Sequence, residues 1–485
     1  MNLLDVFLET AARQPDRPLL HSPRAQYTYT EFRQFIADLI DTLKQQGIRA
    51  GDCIALHYSN SPEYIALVYA IWGCNACVVP IPLELTAEEK QAIFHTIHID
   101  ALLSRADLIA DLEAVQAGES VTFNEHIVFF RCRWFCAHPA GFADVNVAFV
   151  RFTSGTTGDS KGVVLSHETV FERIHAANQA LHLGPDDRVV WLLSMAYHFT
   201  VSIVAYLSFG CAIVLPLNSF GISIIRAAVQ YRATLMYAAP MHYNLMAQDR
   251  SKQMLPNTLR LAIVTTTALS HEVATAFYRR FNKPLNETYG IIEVGLPCMN
   301  LEKPLEKAGS IGKVLPAYEV RLRDQGPLGG SGEIQVRGKG MFDAYYSPWR
   351  TYQMILKEND GWFSTGDIGE FDAQDYLFIR GRGKDIISVG GLKFFPQEVE
   401  AVLESHPAIE SACVFRTPDP RLGDIPHAAL IAGPNVAKPP TLKDIIAFCI
   451  QHLAVHKIPV QVTFVKHLKK TASGKLIRNV SQLTN

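Results

Sequence analysis

The chain has 485 residues, which at roughly 150 residues per domain predicts about two to four domains, or one large lobe with an appendage. Apolar residues make up 48% and charged residues 19%, a balance inside the globular range that excludes a mostly disordered chain. With 45 basic against 47 acidic residues and a net charge of −2, there is no global basic field to neutralise phosphates, so no nucleic-acid partner is expected.

The N-terminus, MNLLDVFLETAARQPDR, carries acids early and lacks an apolar stretch behind a basic start. It fits neither a secretory signal nor a transit peptide, so a surface helix and a cytoplasmic chain are expected. The most apolar stretch, Ile65 to Ile81, is interrupted by Gly73, Asn75 and Pro80. It falls short of the roughly 18–20 unbroken apolar residues that span a bilayer, and predicts a buried helix followed by a strand. Ser61, Pro62 and Glu63 together make a helix start, and Thr86 with Glu89 a capping box. Two close cysteine pairs, Cys74 with Cys77 and Cys132 with Cys136 near His138, permit a four-ligand zinc site. Because Cys74 and Cys77 sit in the apolar stretch, small buried hydrophobes are the preferred reading. The segments VAFVRF, VVWLL, CAIVLPL, ATLMYAA and LRLAIVT suit buried strands between helices, an α/β architecture. The stretches GSIGKVLPAYEVRLRD and GGSGEIQVRG predict a β-rich subdomain. Past about residue 383, helices opening at Pro396 and Thr441 and strands at SACVFR, HAALIAG and VQVTFVK predict a separate α+β domain.

The most informative segment is FVRFTSGTTGDSKGVVLSH, Phe149 to His167, where a strand runs into small and hydroxyl residues and ends in a lysine. Gly155, Gly158 and Gly162 let backbone approach a ligand closely. Thr153, Ser154, Thr156 and Thr157 add donors and Lys161 a charge, which suits polyphosphate oxygens. Ser160 and Gly162 flank the lysine where a Walker A loop needs glycine and a hydroxyl, so the P-loop reading fails on spacing.

With this loop, TYGIIE (Thr288 to Glu293), WFSTGD (Trp362 to Asp367), GRGKDIISVGG (to Gly391) and KTASGKLIR (Lys470 to Arg478), the chain resembles the adenylate-forming superfamily. That superfamily includes acyl- and aryl-CoA synthetases, adenylation domains of nonribosomal peptide synthesis, and luciferases. The resemblance covers essentially the whole chain. It implies a large N-terminal α/β lobe of mixed sheets flanked by helices (1–383) with a β-rich subdomain, and a small mobile α+β C-terminal domain (384–485) pivoting at Lys384. It implies ATP and magnesium as cofactors. Thr153, Ser154, Gly155, Thr156, Thr157, Gly158 and Lys161 would hold phosphates, and Glu287, Thr288, Tyr289 and Gly290 the adenine. Asp367 and Arg382 would hold the ribose, Glu293 the metal, and Lys475 the reacting carboxylate and α-phosphate. Gly390 and Gly391 would line a thiol path to coenzyme A or to the phosphopantetheine of a separate acyl or peptidyl carrier protein. Ser160 and Ile292 depart from the family proline and threonine.

His198 stands where members that activate α-amino acids carry an aspartate. A histidine is a poor partner for an ammonium, so an ordinary α-amino acid is not the expected substrate. Threonines at 265 to 267 occupy positions that are small in many acyl-CoA synthetases, which points to an aryl or short to medium acyl acid. By analogy Tyr197, His198, Phe199, Ser202, Thr265, Thr266, Thr288 and Leu296 line the acid pocket, with His198 also a candidate catalytic group. The alternatives are an inactive adenylate-binding scaffold of the same fold, a long-chain fatty acyl ligase, and a luciferase-type oxidase.

Overall fold

A computed structural model describes residues 1–108, 117–122, 127–132, 137–152, 161–323, 330–434, 436, 438–471 and 474–483. Contacts group the chain into two units: Met1–Glu319 with Arg337–Gly361, and Val320–Val336 with Trp362–Asn485. This grouping assigns part of the β-rich stretch, and the residues just before 383, to the second unit.

The first unit holds two nine-stranded sheets. One runs parallel through its centre, with Val189↔Leu235, Leu235↔Leu261 and Ile263↔Asn286 in register, and ends on an antiparallel hairpin of Asn286–Ile291 and Gly295–Met299. The other pairs Cys53–His57 in parallel with both Cys77–Pro80 and Ala101–Arg105. It also pairs Cys77–Pro80 in parallel with Val147–Phe152, which turns back antiparallel onto Gly162–Ser166. Strands covered on both faces read as continuous apolar runs, as Cys53–His57 and Cys77–Pro80 do, every residue of both being buried.

Local signals set the helix starts. Ser61 accepts from the Tyr64 amide at the head of Pro62–Gly73, and Thr86 with Glu89 closes the capping box of Ala87–Thr96. The N-terminal helix, Leu3–Arg13, is more than a surface element: Leu3, Leu4, Phe7, Thr10 and Ala11 are buried. Phe7 packs against Tyr29, Phe32 and Tyr69, contacts that the first seventeen residues alone do not reveal. Among the described residues no helix is long and apolar enough to cross a membrane.

The second unit holds most of a four-stranded sheet in the order Tyr318–Arg323, Ser331–Gly338, Phe363–Phe371, Leu377–Arg382, of which Tyr318, Glu319, Arg337 and Gly338 are grouped with the first. It also contains a five-stranded sheet built on the long antiparallel pair Ile409–Asp419 and Gly423–Ala432. Helices Pro396–Glu404 and Leu442–Ile450 pack on the latter through Val399, Leu403, Ile445 and Cys449.

Candidate active site

In the first unit the strand Val147–Phe152 ends one residue short of the hydroxyl loop. Thr153, Ser154, Gly155, Thr156, Thr157 and Gly158, with Ser160, lie outside the described residues. Lys161 is exposed, and its ammonium stands 5.0 Å from the centroid of the Tyr345 ring. The hydroxyl of the same tyrosine donates to Glu293 Oε1 at 3.2 Å. Tyr345 thus bridges the loop lysine and the carboxylate, two groups 132 positions apart in sequence. Burial first, then the Glu293 charge, pushes the Tyr345 phenol up, so it stays a protonated donor to the carboxylate.

The turn that presents Glu293 is held from behind. Arg173, on helix His167–Leu181, is 1% exposed. It donates from Nε to the Gly340 carbonyl at 2.9 Å, from Nη1 to Ile292 at 2.9 Å and from Nη2 to Glu293 at 3.3 Å. The Phe342 amide donates to the Glu293 carbonyl as well, at 2.8 Å. Gly290 is required by close approach, since a Cβ there would stand 2.3 Å from the Gly295 carbonyl oxygen. Tyr289 is buried, and Thr288 Oγ1 donates to the Cys298 carbonyl at 2.9 Å. Ile292 is buried too.

The remaining acid-pocket candidates of the same unit lie on the short helical stretch 195–201 and Ser202 after it, just past strand Leu261–Val264, and in strand Gly295–Met299. His198 lies against Trp191 and Tyr237, at 6.3 and 6.1 Å between ring centroids, and those two rings stack on each other at 5.4 Å. Tyr237 is hydrogen-bonded to the buried Thr265. Thr266 adopts φ +82°, a left-handed conformation that is a genuine outlier for a β-branched residue and stores strain. Leu296 is half-buried next to Gly295. Phe199 and Ser202 are sequestered: Phe199 packs among Tyr64, Tyr69 and Trp72, and Ser202 donates to the His198 carbonyl. Arg151, which no motif singled out, donates to the Tyr197 carbonyl and stands 5.8 Å from its ring. Burial lowers its guanidinium to about 10, still cationic at neutral pH.

In the second unit Asp367 and Arg382 face each other across a hairpin. Arg382 Nε lies 2.8 Å from Asp367 Oδ1, with the aspartate side chain 7% exposed. Lys384 follows in the short turn Gly383–Asp385. Gly390 and Gly391, at φ +57° and +85°, form a two-residue hairpin turn between Ile387–Val389 and Leu392–Phe394, where glycine meets the positive φ without cost. Lys475 is exposed on a turn closed by the Thr471 amide donating to its carbonyl at 2.7 Å. Arg478, three residues on, reaches Glu400 at 2.8 Å, a buried pair that fixes the base of the turn.

A protein-family model described as AMP-binding enzyme matches residues 7–346, well over half of the chain, and the AMP-binding enzyme C-terminal domain matches 398–475. The chain belongs to the AMP-binding enzyme family. Its relatives include 2-succinylbenzoate–CoA ligase of Geobacillus sp. (strain WCH70), 28% identical over 97% of this chain and 95% of that protein. Another is the 3-[(3aS,4S,7aS)-7a-methyl-1,5-dioxo-octahydro-1H-inden-4-yl]propanoyl:CoA ligase of Rhodococcus jostii (strain RHA1), 29% identical over 93% of both chains. Among solved structures, O-succinylbenzoate coenzyme A synthetase from Bacillus subtilis in complex with AMP superposes with a TM-score of 0.83 at 23% identity, covering 99% of this chain and 98% of that one. That likeness shows the fold.

For this AMP-binding enzyme, motif reading named Glu293 and Lys161 but missed Tyr345 and Arg173, which lie in no motif, and passed over Arg151 at the head of the hydroxyl-loop segment. The one available signal was an arginine inside the apolar strand VAFVRF. Glu287 gains a property that sequence does not give. It is 6% exposed, and its Oε1 accepts from the Gly309 amide at 2.6 Å. Its carboxyl is nevertheless pushed up to about 7, chiefly by burial, against hydrogen bonds from the Gly309 and Leu269 amides. The folded chain therefore keeps a proton that the unfolded chain releases near pH 4.5. Stability falls as pH rises between those values and is level above them. Glu287→Gln is expected to remove this slope, so that the variant's advantage in urea unfolding grows by roughly 2–3 kcal/mol between pH 5 and pH 8. A pH-independent gap between variant and wild type would refute the assignment.

Proposed function

We propose that this chain is an AMP-forming acid–thiol ligase that activates an aryl or short to medium acyl acid, and not an ordinary α-amino acid. The substrate carboxylate oxygen bonds to the α-phosphorus of ATP as pyrophosphate departs. A thiol then attacks the acyl carbonyl and AMP leaves. The observation that carries the reading is the convergence of Lys161, Tyr345 and Glu293, a cation and a hard carboxylate oxygen joined by one phenol. Family membership and the CoA ligases among the relatives over nearly their full length support it.

In this reading Thr153, Ser154, Gly155, Thr156, Thr157, Gly158 and Lys161 bind the β- and γ-phosphates. Glu287, Thr288, Tyr289 and Gly290 hold adenine, and Asp367 with Arg382 holds the ribose hydroxyls. The Glu293 carboxylate is the donor type that suits magnesium, which, when bound with the triphosphate, supplies charge neutralisation. Lys475 offsets the repulsion between the two reacting anions. Lys384 is the pivot between residues 1–383 and the C-terminal domain, which exchanges Lys475 for Gly390 and Gly391 so that a thiol reaches the acyl carbon. Coenzyme A is the acceptor that the relatives favour, with a carrier-protein phosphopantetheine as the other.

Tyr197, His198, Thr265, Thr266 and Leu296 bound the acid pocket, with Phe199 and Ser202 supporting it from the interior. Its aromatic side favours an aryl group. A cationic Arg151 beside Tyr197 disfavours an ammonium there. Thr266, held in a glycine-like conformation, narrows the path that a long chain would take.

Acid-dependent exchange of labelled pyrophosphate into ATP tests the reading. Benzoate, 2-succinylbenzoate and indoleacetate are compared with short and long fatty acids and with α-amino acids. At least one aryl or short acid is expected to exceed palmitate by about tenfold or more in kcat/KM. ATP binding without exchange for any acid would leave the inactive scaffold, which the buried Ile292 in place of a threonine favours. Product formation with coenzyme A or a phosphopantetheinylated carrier identifies the acceptor.

A further inference from the structure

Away from this chemistry, the strand starts of one sheet gather a second set of reactive side chains. Cys53 opens strand Cys53–His57, Cys77 opens its parallel neighbour, and Asp100 immediately precedes Ala101–Arg105. His138 precedes Val147–Phe152, the strand that Lys161 follows. The cluster lies toward the start of these strands, whereas Lys161 follows the end of Val147–Phe152; Tyr346 reaches between them, its hydroxyl meeting His138 Nδ1 at 3.0 Å and its amide donating to the Gly162 carbonyl at 2.7 Å.

His98, Asp100 and His138 each bring a donor atom within 4.8 Å of the other two. The Cys53 thiol lies 3.9 Å from His138 Nε2. Around a tetrahedral ion with bonds near 2.1 Å, neighbouring donors stand about 3.4 Å apart, so the His98, Asp100 and His138 donors need to draw together, and the Cys53 thiol, which of these three meets His138, has to rotate further to complete the set. The outer contacts are those that orient ligands. His138 Nδ1 meets the Tyr346 hydroxyl at 3.0 Å, and its ring stacks on Phe142 at 4.4 Å. Asp100 Oδ2 accepts from the Cys53 amide at 2.8 Å. His98 Nε2 meets Asp100 Oδ1 at 3.1 Å, while its Nδ1 is enclosed without a hydrogen-bond partner among the described residues. The side chains of His98 and Asp100 are 25% and 24% exposed, which leaves an entry path for an ion.

Cys74 and Cys77 are both buried, in keeping with the preferred reading of small hydrophobes. Cys77 does not act with Cys74; its sulfur lies 2.9 Å from that of Cys53, brought from the neighbouring strand. Cys136 lies outside the described residues.

We propose that His98, Asp100, His138 and the Cys53 thiolate bind one divalent transition-metal ion of the zinc class, as a structural site separate from the magnesium and nucleotide chemistry. Two imidazoles, a carboxylate and a thiolate form the mixed nitrogen, oxygen and sulfur set that zinc and cobalt(II) accept and magnesium does not. Binding releases the Cys53 proton to solvent, and no redox step is involved. The ion ties the starts of Cys53–His57 and Ala101–Arg105 to the segment before Val147, so it stabilises the first unit.

The test uses the full chain, freed of metal by chelation and kept in a phosphine reductant that holds Cys53 and Cys77 apart as thiols. Cobalt(II) titration is expected to saturate at one equivalent, with tetrahedral d–d bands and a thiolate-to-cobalt charge-transfer band. Cys53→Ser should abolish the charge-transfer band, while His138→Gln and His98→Gln should each weaken zinc binding, measured by competition, by about tenfold or more. Zinc should raise the wild-type thermal midpoint and should not raise that of a His98→Gln, His138→Gln double variant. Far-ultraviolet circular dichroism checks each fold, and the part-exposed His98→Gln stands if His138→Gln fails to fold. No saturable uptake, unchanged affinity in the histidine variants, or a charge-transfer band that survives Cys53→Ser would overturn the site.

Discussion

Lys475→Ala is expected to lower acid-dependent pyrophosphate exchange by roughly 10²–10³-fold, the range seen when one positioned electrostatic donor is removed from a transition state. Transfer of the acyl group from supplied acyl-adenylate to the thiol should change by less than about tenfold, because in the proposed second half-reaction Gly390 and Gly391 have replaced Lys475 beside the reacting atoms. The structural setting makes this separation testable. Lys475 is exposed on a turn held by its backbone, with the Thr471 amide on its carbonyl at 2.7 Å and its own amide on Thr471 Oγ1 at 3.2 Å. Truncating the side chain leaves those bonds in place, and the Arg478–Glu400 pair still anchors the segment that follows. Equal loss of both half-reactions would defeat the assigned role.

Arg173→Leu is expected to destabilise the first unit by roughly 3–5 kcal/mol, the cost of leaving several buried carbonyls without their charged donor. The carbonyls of Gly340, Ile292 and Glu293 all lose a partner. The Glu293 turn should loosen, so the residual enzyme should require more magnesium for half-maximal exchange. Arg173→Lys should fall between the two, since one ammonium lacks the planar fork that spans three acceptors. Urea unfolding followed by tryptophan fluorescence measures the loss. A variant within about 1 kcal/mol of wild type would show that the contacts contribute little.

Much of the fold was legible wherever a short stretch carried its own cause. Ser61 with Pro62 and Thr86 with Glu89 started helices as read, because a cap satisfies amides two or three residues away. Gly390 and Gly391, read from sequence only as lining a thiol path, form a hairpin turn in which glycine meets two successive positive φ angles cheaply. The motifs also located Asp367 and Arg382, and the hairpin explains their fifteen-residue spacing by making them cross-strand partners. The N-terminal helix was read as a surface element because the aromatic residues that bury Phe7 lie 22 to 62 positions later in the chain.

By itself the sequence determined the α/β class, the helix starts and the chemical type of each motif, since all of these act over a few residues of backbone. Tertiary structure alone decided what stands beside what. It set Tyr345 between Lys161 and Glu293, put Arg173 behind the Glu293 turn, and paired Cys53 with Cys77 across parallel strands near His98, Asp100 and His138. Such neighbours are chosen by strand order and register, and parallel neighbours are joined by crossovers long enough to erase any local spacing between their side chains.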